Sequence, residues 1–140
     1  MSNSKKEVTL LLVEDDDIDA MTIERSFQKK RIGNSIIRTY DGYEALKMLQ
    51  DGKIPAPFVI LLDLQMPRMN GLEFLQHIRA DHNLSSSVIF VLTTSKAEED
   101  MVASYRQQVA GYFVKDEAGE HFINMVDILD SYWKIVHLPK

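Results

Sequence analysis

At 140 residues with a net charge of −5, the chain is long enough for one domain with a proper core and too short for two ordinary ones. Hydrophobic residues at 45% and charged residues at 26% give the composition of a folded globular domain rather than a disordered chain. The acidic balance argues against broad nucleic-acid binding, which needs a basic face, and the lack of cysteine removes disulfides, thiolate metal sites and cysteine nucleophiles.

The N-terminal MSNSKKE has no apolar h-region, so it is not a signal peptide, and residues 1–6 read as a disordered tail. No apolar run approaches the ~20 residues that span a membrane. The expectation is a cytoplasmic protein, one domain over 1–140, with neither a membrane nor a nucleic acid as partner.

In chain order, VTLLLV at 8–13 is the first strand. Glu14, Asp15, Asp16, Asp17 and Asp19 follow at once. A helix is expected over 17–30, capped by Asp16 or Asp17, with the acids suiting its positive end. Asp19 reads as solvated, and Lys29-Lys30-Arg31 as a complement to the helix's negative end. SIIRTY at 35–40 is the second strand. Asp41-Gly42-Tyr43-Glu44 places a capping residue three before a Glu and opens a helix over 43–51. Pro55 and Pro57 break the chain before FVILLDL at 58–64, the third strand. Asn70 and Glu73 repeat the capping pattern for a helix over 71–80. VIFVLTT at 88–94 is the fourth strand. Ser95 and Glu98 again have cap spacing, before a helix over 97–107. GYFV at 111–114 is the fifth strand, and a long last helix is expected over 118–137.

None of the strands alternates cleanly between apolar and polar residues. Continuous runs of this kind fit strands covered on both faces, as in a parallel sheet. Five βα units with right-handed crossovers make a doubly wound open sheet with helices on both faces. Ligands in such sheets sit beyond the carboxyl ends of the strands. There the sequence places Glu14-Asp15, Asp63, Thr93-Thr94-Ser95 and Lys115-Asp116. An acid after a strand is most often a helix cap. Asp63, embedded in FVILLDLQMP, is different, because an ionised group beside a core strand needs compensation.

Clustered carboxylates beside an amine suit a hard divalent cation and an anion together. Mg²⁺ prefers oxygen ligands and is commonly held by one or two carboxylates. With the charges offset, a carboxylate oxygen can attack phosphorus and form an aspartyl-phosphate. The transferred group spreads charge over three oxygens, which the metal, the Lys115 ammonium and the Thr93 hydroxyl with backbone N–H groups would meet.

The segments VED at 13–15, DLQMPRMNG at 63–71, LTTS at 92–95 and GYFVKD at 111–116 together resemble the receiver domain of two-component response regulators, over roughly residues 8–130. The resemblance implies the flavodoxin-like strand order 2-1-3-4-5. It implies that Asp63 is the phosphoacceptor for a sensor histidine kinase, and that the protein catalyses only its own phosphorylation and dephosphorylation. It implies Mg²⁺ held by Asp15, by Glu14 directly or through water, by Asp63 and by the backbone carbonyl of Gln65. Lys115 would pair with the phosphoryl oxygen, Thr93 would be the switch hydroxyl, and Tyr112 the aromatic whose rotamer follows it. Gly71 would open the third helix.

Three positions depart from the family pattern. Asp116 stands where proline often follows the lysine with a cis bond, so either a trans bond with an altered loop or a strained cis bond is expected. Glu14 replaces a common Asp. Gln65 and Ser95 occupy positions that tune phosphoryl lifetime in the family. The doubled Thr93-Thr94, the missing proline and the aromatic-rich last helix resemble single-domain regulators that partner phytochrome-type sensor kinases.

With no output module before Lys140, the signal is expected to leave through a change in the domain's own interface. In the last helix, Phe122, Met125, Val126, Ile128, Leu129, Tyr132, Trp133, Ile135 and Val136 span about 180°, wider than the ~100° stripe of an ordinary surface helix. The surplus points to a homodimer through this helix. The alternative is that Tyr132 and Trp133 cover the sheet edge or the C-terminal HLPK. A Mg²⁺ phosphohydrolase is the rival function, but such enzymes pair the nucleophile with a second Asp two residues on, where this chain has Gln65. A docking-only pseudo-receiver would need a broken site. A nucleotide-binding flavodoxin-like domain would need a Gly-rich loop after the first strand.

Overall fold

The structure, a computed structural model, describes residues 7–139; the tail expected over 1–6 lies outside the described residues. Five parallel strands form one sheet in the order β2-β1-β3-β4-β5. The strands are β1 (Thr9–Val13), β2 (Ile36–Thr39), β3 (Phe58–Leu62), β4 (Val88–Thr93) and β5 (Gly111–Val114). The helices are α1 (Asp17–Lys29), α2 (Gly42–Gln50), α3 (Gly71–Ala80), α4 (Glu98–Arg106) and α5 (Ile123–Ile135).

The unbroken apolar runs have the expected cause. Successive side chains point to opposite faces of a strand, and both faces are covered. Leu10, Leu12, Val59, Leu61, Phe90 and Leu92 pack with Phe27 of α1 and with Met125, Leu129 and Trp133 of α5. Their neighbours Leu11, Val13, Ile60, Leu62, Ile89 and Val91 pack on the other face, with Phe74, Leu75 and Ile78 of α3.

The last helix starts later than the sequence suggested. Two short 3₁₀ turns, Lys115–Glu117 and Glu120–Phe122, precede it, and α5 begins at Ile123 rather than at 118. Gly119 (φ 88°), His121 (φ 54°) and Phe122 (φ 60°) adopt left-handed backbone, which no helix can continue through. The reversal drops Phe122 into the core beside α1, and Ser26 Oγ donates to the His121 carbonyl at 2.6 Å.

Tyr132 and Trp133 turn toward the chain's own core. Trp133 stacks on Phe27 with ring centroids 5.8 Å apart, and Tyr132 meets Phe90 edge-on at 5.0 Å. Much of the aromatic surplus of α5 is thus taken by the chain's own core, leaving Ile128, Ile135 and Val136 exposed. Of the Lys29-Lys30-Arg31 group, Lys29 lies in the last turn of α1, whereas Lys30 pairs with Asp127 of α5.

The caps differ in detail. Asp16 caps α1, accepting from the Asp19 N–H at 3.0 Å. Asn70 and Glu73 form a reciprocal capping box on α3. Asp41 caps α2, accepting from the Glu44 N–H at 2.8 Å, while Glu44 accepts from Tyr40 rather than from Asp41. Ser95 does not cap α4. Its N-cap is Ala97, without a side-chain bond, because Ser95 Oγ donates to Asp100 at 2.5 Å and accepts from the Ala97 N–H.

Asp41 also accepts from Arg68 Nε at 2.7 Å, which ties α2 to the loop before α3. Burial pushes the Asp41 carboxyl up, but the Arg68 guanidinium and the Glu44 and Tyr43 N–H groups outweigh it and hold the carboxyl below its ordinary 3.8. A depressed carboxylate stabilises the fold above the unfolded value and loses that contribution as pH falls through the folded one. Asp41→Ala is therefore expected to cost about 1 kcal/mol at pH 7. Urea unfolding would show the difference shrinking as pH drops below 3.8.

Candidate functional site

The site begins where β1 ends. The Glu14 N–H donates to Thr39 on β2 and the Asp63 N–H donates to Val13 on β1, both at 3.0 Å. Sheet bonding therefore continues one residue past β1 and β3 and sets these two acids next to each other. Both are buried, Glu14 at 1% and Asp63 at 5% exposure, whereas Asp15 is exposed. One oxygen from each of Glu14, Asp15 and Asp63 can be chosen so that all three lie within 4.8 Å of one another. An all-oxygen set of that size fits a hard divalent cation. An open cleft of about 630 Å³ is lined by Asp15 and Asp63 together with Asp19, Gln65, Thr94 and Lys115.

Lys115, at the end of β5, is the cation of the cluster. Its ammonium lies 2.8 Å from Glu14 Oε1, 2.7 Å from Asp19 Oδ2 and 3.4 Å from Asp63 Oδ2. Burial pulls its pKa down, but the bonds to Asp19 and Glu14 outweigh that and hold the ammonium above its ordinary range. Glu14 moves against its own ion pair. Burial first, and then the negative charge of Asp63, push its carboxyl up to about 8 despite the lysine. One lysine does not offset the local excess of carboxylates, and a bound divalent cation would relieve it.

The turn after β3 is held by backbone bonds. Asp63 Oδ1 accepts from the Gln65 N–H at 3.1 Å, and the Gly71 N–H donates to the Leu64 carbonyl at 2.9 Å. α3 starts so close to this turn that a Cβ on Gly71 would sit 2.6 Å from Leu64 Cα and 2.7 Å from the Asp63 carbonyl. Gln65 Oε1 accepts from Thr94 at 2.8 Å, a link between the loops after β3 and β4. Thr93 is fully buried at the end of β4, and its hydroxyl accepts from the Ser95 N–H at 3.3 Å. The Tyr112 hydroxyl donates to the Ser95 carbonyl at 3.0 Å, so Thr93 and Tyr112 meet at one residue.

One expectation changes here, and one open alternative is resolved. Asp19 is not a solvated acid; it is a direct partner of Lys115. The Lys115–Asp116 bond is trans, the cis bond among the described residues being Ala56–Pro57. The altered loop turns into 3₁₀ geometry, and Asp116 bridges to Lys96 at 2.9 Å.

Arg38 is a further residue of the site that no sequence motif marked. Its Nε donates to the Glu14 carbonyl at 2.9 Å, its Nη1 lies 2.8 Å from Asp17 Oδ1, and its guanidinium stacks 3.9 Å over the Tyr40 ring. It braces the acidic loop from the neighbouring strand. The one clue available was a lone basic residue in the strand SIIRTY, in a chain whose first strand runs into five acids.

Residues 10–127 match the family model described as response regulator receiver domain. The chain is 34% identical over 135 residues to response regulator Rcp1 from Synechocystis, covering 93% of this chain and 92% of the relative. The crystal structure of the Mn²⁺-bound form of Rcp1 superposes with a TM-score of 0.83, covering 94% of this chain and 99% of that one. The phosphorylated cyanobacterial phytochrome response regulator RcpA superposes at 0.85 with 28% identity, covering 96% and 99%. The bacteriophytochrome response regulator RtBRR superposes at 0.72 with 33% identity, covering 94% and 83%. Among the described residues no helix is long and apolar enough to cross a membrane. The family match spans most of the chain, and acids, hydroxyls and an amine meet beyond the carboxyl ends of a 2-1-3-4-5 sheet: this chain belongs to the response regulator receiver domain family of two-component signalling.

Proposed function

We propose that the chain accepts a phosphoryl group on Asp63 from a sensor histidine kinase, with Mg²⁺ bound beside it, and passes the signal on through a changed protein–protein interface in the cytoplasm. The observation that carries this reading is the approach of Glu14, Asp15 and Asp63 oxygens to within 4.8 Å of one another with the Lys115 ammonium beside them. Asp15, Asp63, the Gln65 carbonyl and Glu14, directly or through water, hold the cation. Mg²⁺, when bound, neutralises charge on the acceptor and on the incoming group.

An Asp63 carboxylate oxygen attacks phosphorus, the bond from phosphorus to the donor nitrogen breaks, and its electron pair leaves with the imidazole. Lys115 supplies its ammonium to the phosphoryl oxygens, and Thr93 turns its hydroxyl toward them. Its bonding partner Ser95 is also the partner of Tyr112, so a moved Thr93 frees the aromatic ring to change the surface formed by α4 and β5. Likeness to RcpA and RtBRR favours a phytochrome-type kinase as donor, and the Mn²⁺-bound form of Rcp1 favours a divalent metal at the acids. Exposed Ile128, Ile135 and Val136 on and after α5 favour a second copy as one partner.

Intact mass after treatment with acetyl phosphate and Mg²⁺ tests the central claim. One added phosphoryl group is expected, absent without Mg²⁺ and absent in Asp63→Asn. No added mass with any donor would sink the reading, and multiple turnover of a small phosphate ester would replace it with a phosphohydrolase. Light scattering with and without beryllofluoride reads the second copy.

A further inference from the structure

We infer that Asp19 is a positioning residue that competes with the phosphoryl group for Lys115 and so sets how tightly the site holds that group. The inference rests on the phosphoacceptor reading above.

An ammonium has three N–H donors, and in Lys115 all three are spoken for, by Glu14, Asp19 and Asp63. The distribution is uneven. Asp19 at 2.7 Å and Glu14 at 2.8 Å make full charge-assisted bonds, whereas Asp63 at 3.4 Å is at the edge of bonding distance. The lysine is drawn toward the first turn of α1 and away from the acceptor carboxylate.

Asp19 is well fixed for this task. Its backbone N–H is bonded to the Asp16 cap at 3.0 Å. The neighbouring acid of the same turn, Asp17, is taken by Arg38 from the other side at 2.8 Å. The first turn of α1 is thus anchored to β2 through Asp17 and to the end of β5 through Asp19.

A phosphoryl group on Asp63 brings new oxyanions that call on the same ammonium. Asp19 opposes them twice. It holds one donor of Lys115, and it keeps a negative charge one ammonium away from the place where the group's charge arrives. Removing that charge frees the lysine to close on the phosphoryl oxygens.

Calorimetric titration of the full chain with beryllofluoride, a phosphoryl analogue, at saturating Mg²⁺ tests this. Asp19→Asn and Asp19→Ser are expected to bind the analogue about three- to tenfold more tightly than wild type, the scale of one ordinary net hydrogen bond. Asp19→Glu keeps the charge and is expected to stay near wild type. Urea unfolding of each variant separates this effect from a general loosening, which would weaken binding rather than strengthen it. Unchanged or weaker binding in both neutral variants overturns the inference while leaving the phosphoacceptor reading in place. A wild-type protein that binds no beryllofluoride overturns both.

Discussion

An Asp63→Asn protein is expected to take up no phosphoryl group at any pH and, stripped of divalent metal by a chelator, to withstand more urea than the parent at pH 8. The first half follows from chemistry, because an amide oxygen is too weak a nucleophile to replace the carboxylate. The second half follows from the charge excess around Lys115. Glu14 is pushed from an ordinary 4.5 to about 8, by burial first and then by the charge of Asp63. The folded state therefore holds a proton on Glu14 that the unfolded chain releases. Between the two values the folded state binds more protons, so this group lowers stability progressively as pH rises from 4.5 to about 8. Removing the Asp63 charge lowers the folded value of Glu14 and relieves part of that cost. The gain at pH 8 is expected to be about 1–3 kcal/mol, shrinking toward zero by about pH 5. Urea midpoints across that range measure it. A midpoint difference that grows toward acid would show that Glu14 is not the group responsible. Added Mg²⁺ should narrow the gap from the other side, since it stabilises the parent by binding the folded state.

Gly71→Ala is expected to be the most damaging small substitution near the site. The added Cβ would meet backbone, at 2.6 Å from Leu64 Cα and 2.7 Å from the Asp63 carbonyl, with Leu64 Cδ2 also at 2.7 Å. Backbone cannot rotate out of the way as a flexible side chain can, so the start of α3 must move off the turn that carries Asp63. Overpacking of this kind typically costs about 1–3 kcal/mol, and lengthening the Gly71–Leu64 bond of 2.9 Å adds to it. A loss of about 3 kcal/mol in urea unfolding is expected. Even where the variant folds, acetyl phosphate should modify it more slowly, because a shift of a few tenths of an ångström in Asp63 spoils in-line attack. Ala45→Gly, in the buried part of neighbouring α2, serves as a comparison that changes stability without touching that turn. A Gly71→Ala protein with parental stability and phosphorylation rate would refute the close-approach argument.

Much of the fold was legible because its signals are local. The apolar runs of β1, β3 and β4 could be read as strands buried on both faces, and the two core layers account for every second residue of each. Asn70 with Glu73 announced α3, and the box formed as spaced. The same spacing failed at Ser95 and Glu98. There the serine had a nearer partner in Asp100 and in the Ala97 N–H, a competition that the pattern alone does not resolve. The start of α5 was missed because AGEHF carries no proline. Tertiary contacts hold two left-handed residues there that are not glycine, the burial of Phe122 and the Ser26 bond to the His121 carbonyl.

The acids divide along the same line. From its own letters the chain determined that Glu14, Asp15, Asp63, Thr93 and Lys115 would gather at one end of the sheet. A βα repeat brings every strand's carboxyl end to the same edge. It also determined that Asp16 could cap α1, since a cap needs only the three residues that follow it. Partner choice across the sheet was decided by tertiary structure alone. Arg38 and Asp17 are joined because β2 lies beside β1. Asp19 meets Lys115, 96 residues away, because the first turn of α1 and the end of β5 face the same cleft. A solvated acid and a lysine's closest partner look alike in sequence. The difference is a through-space distance, and no local pattern encodes one.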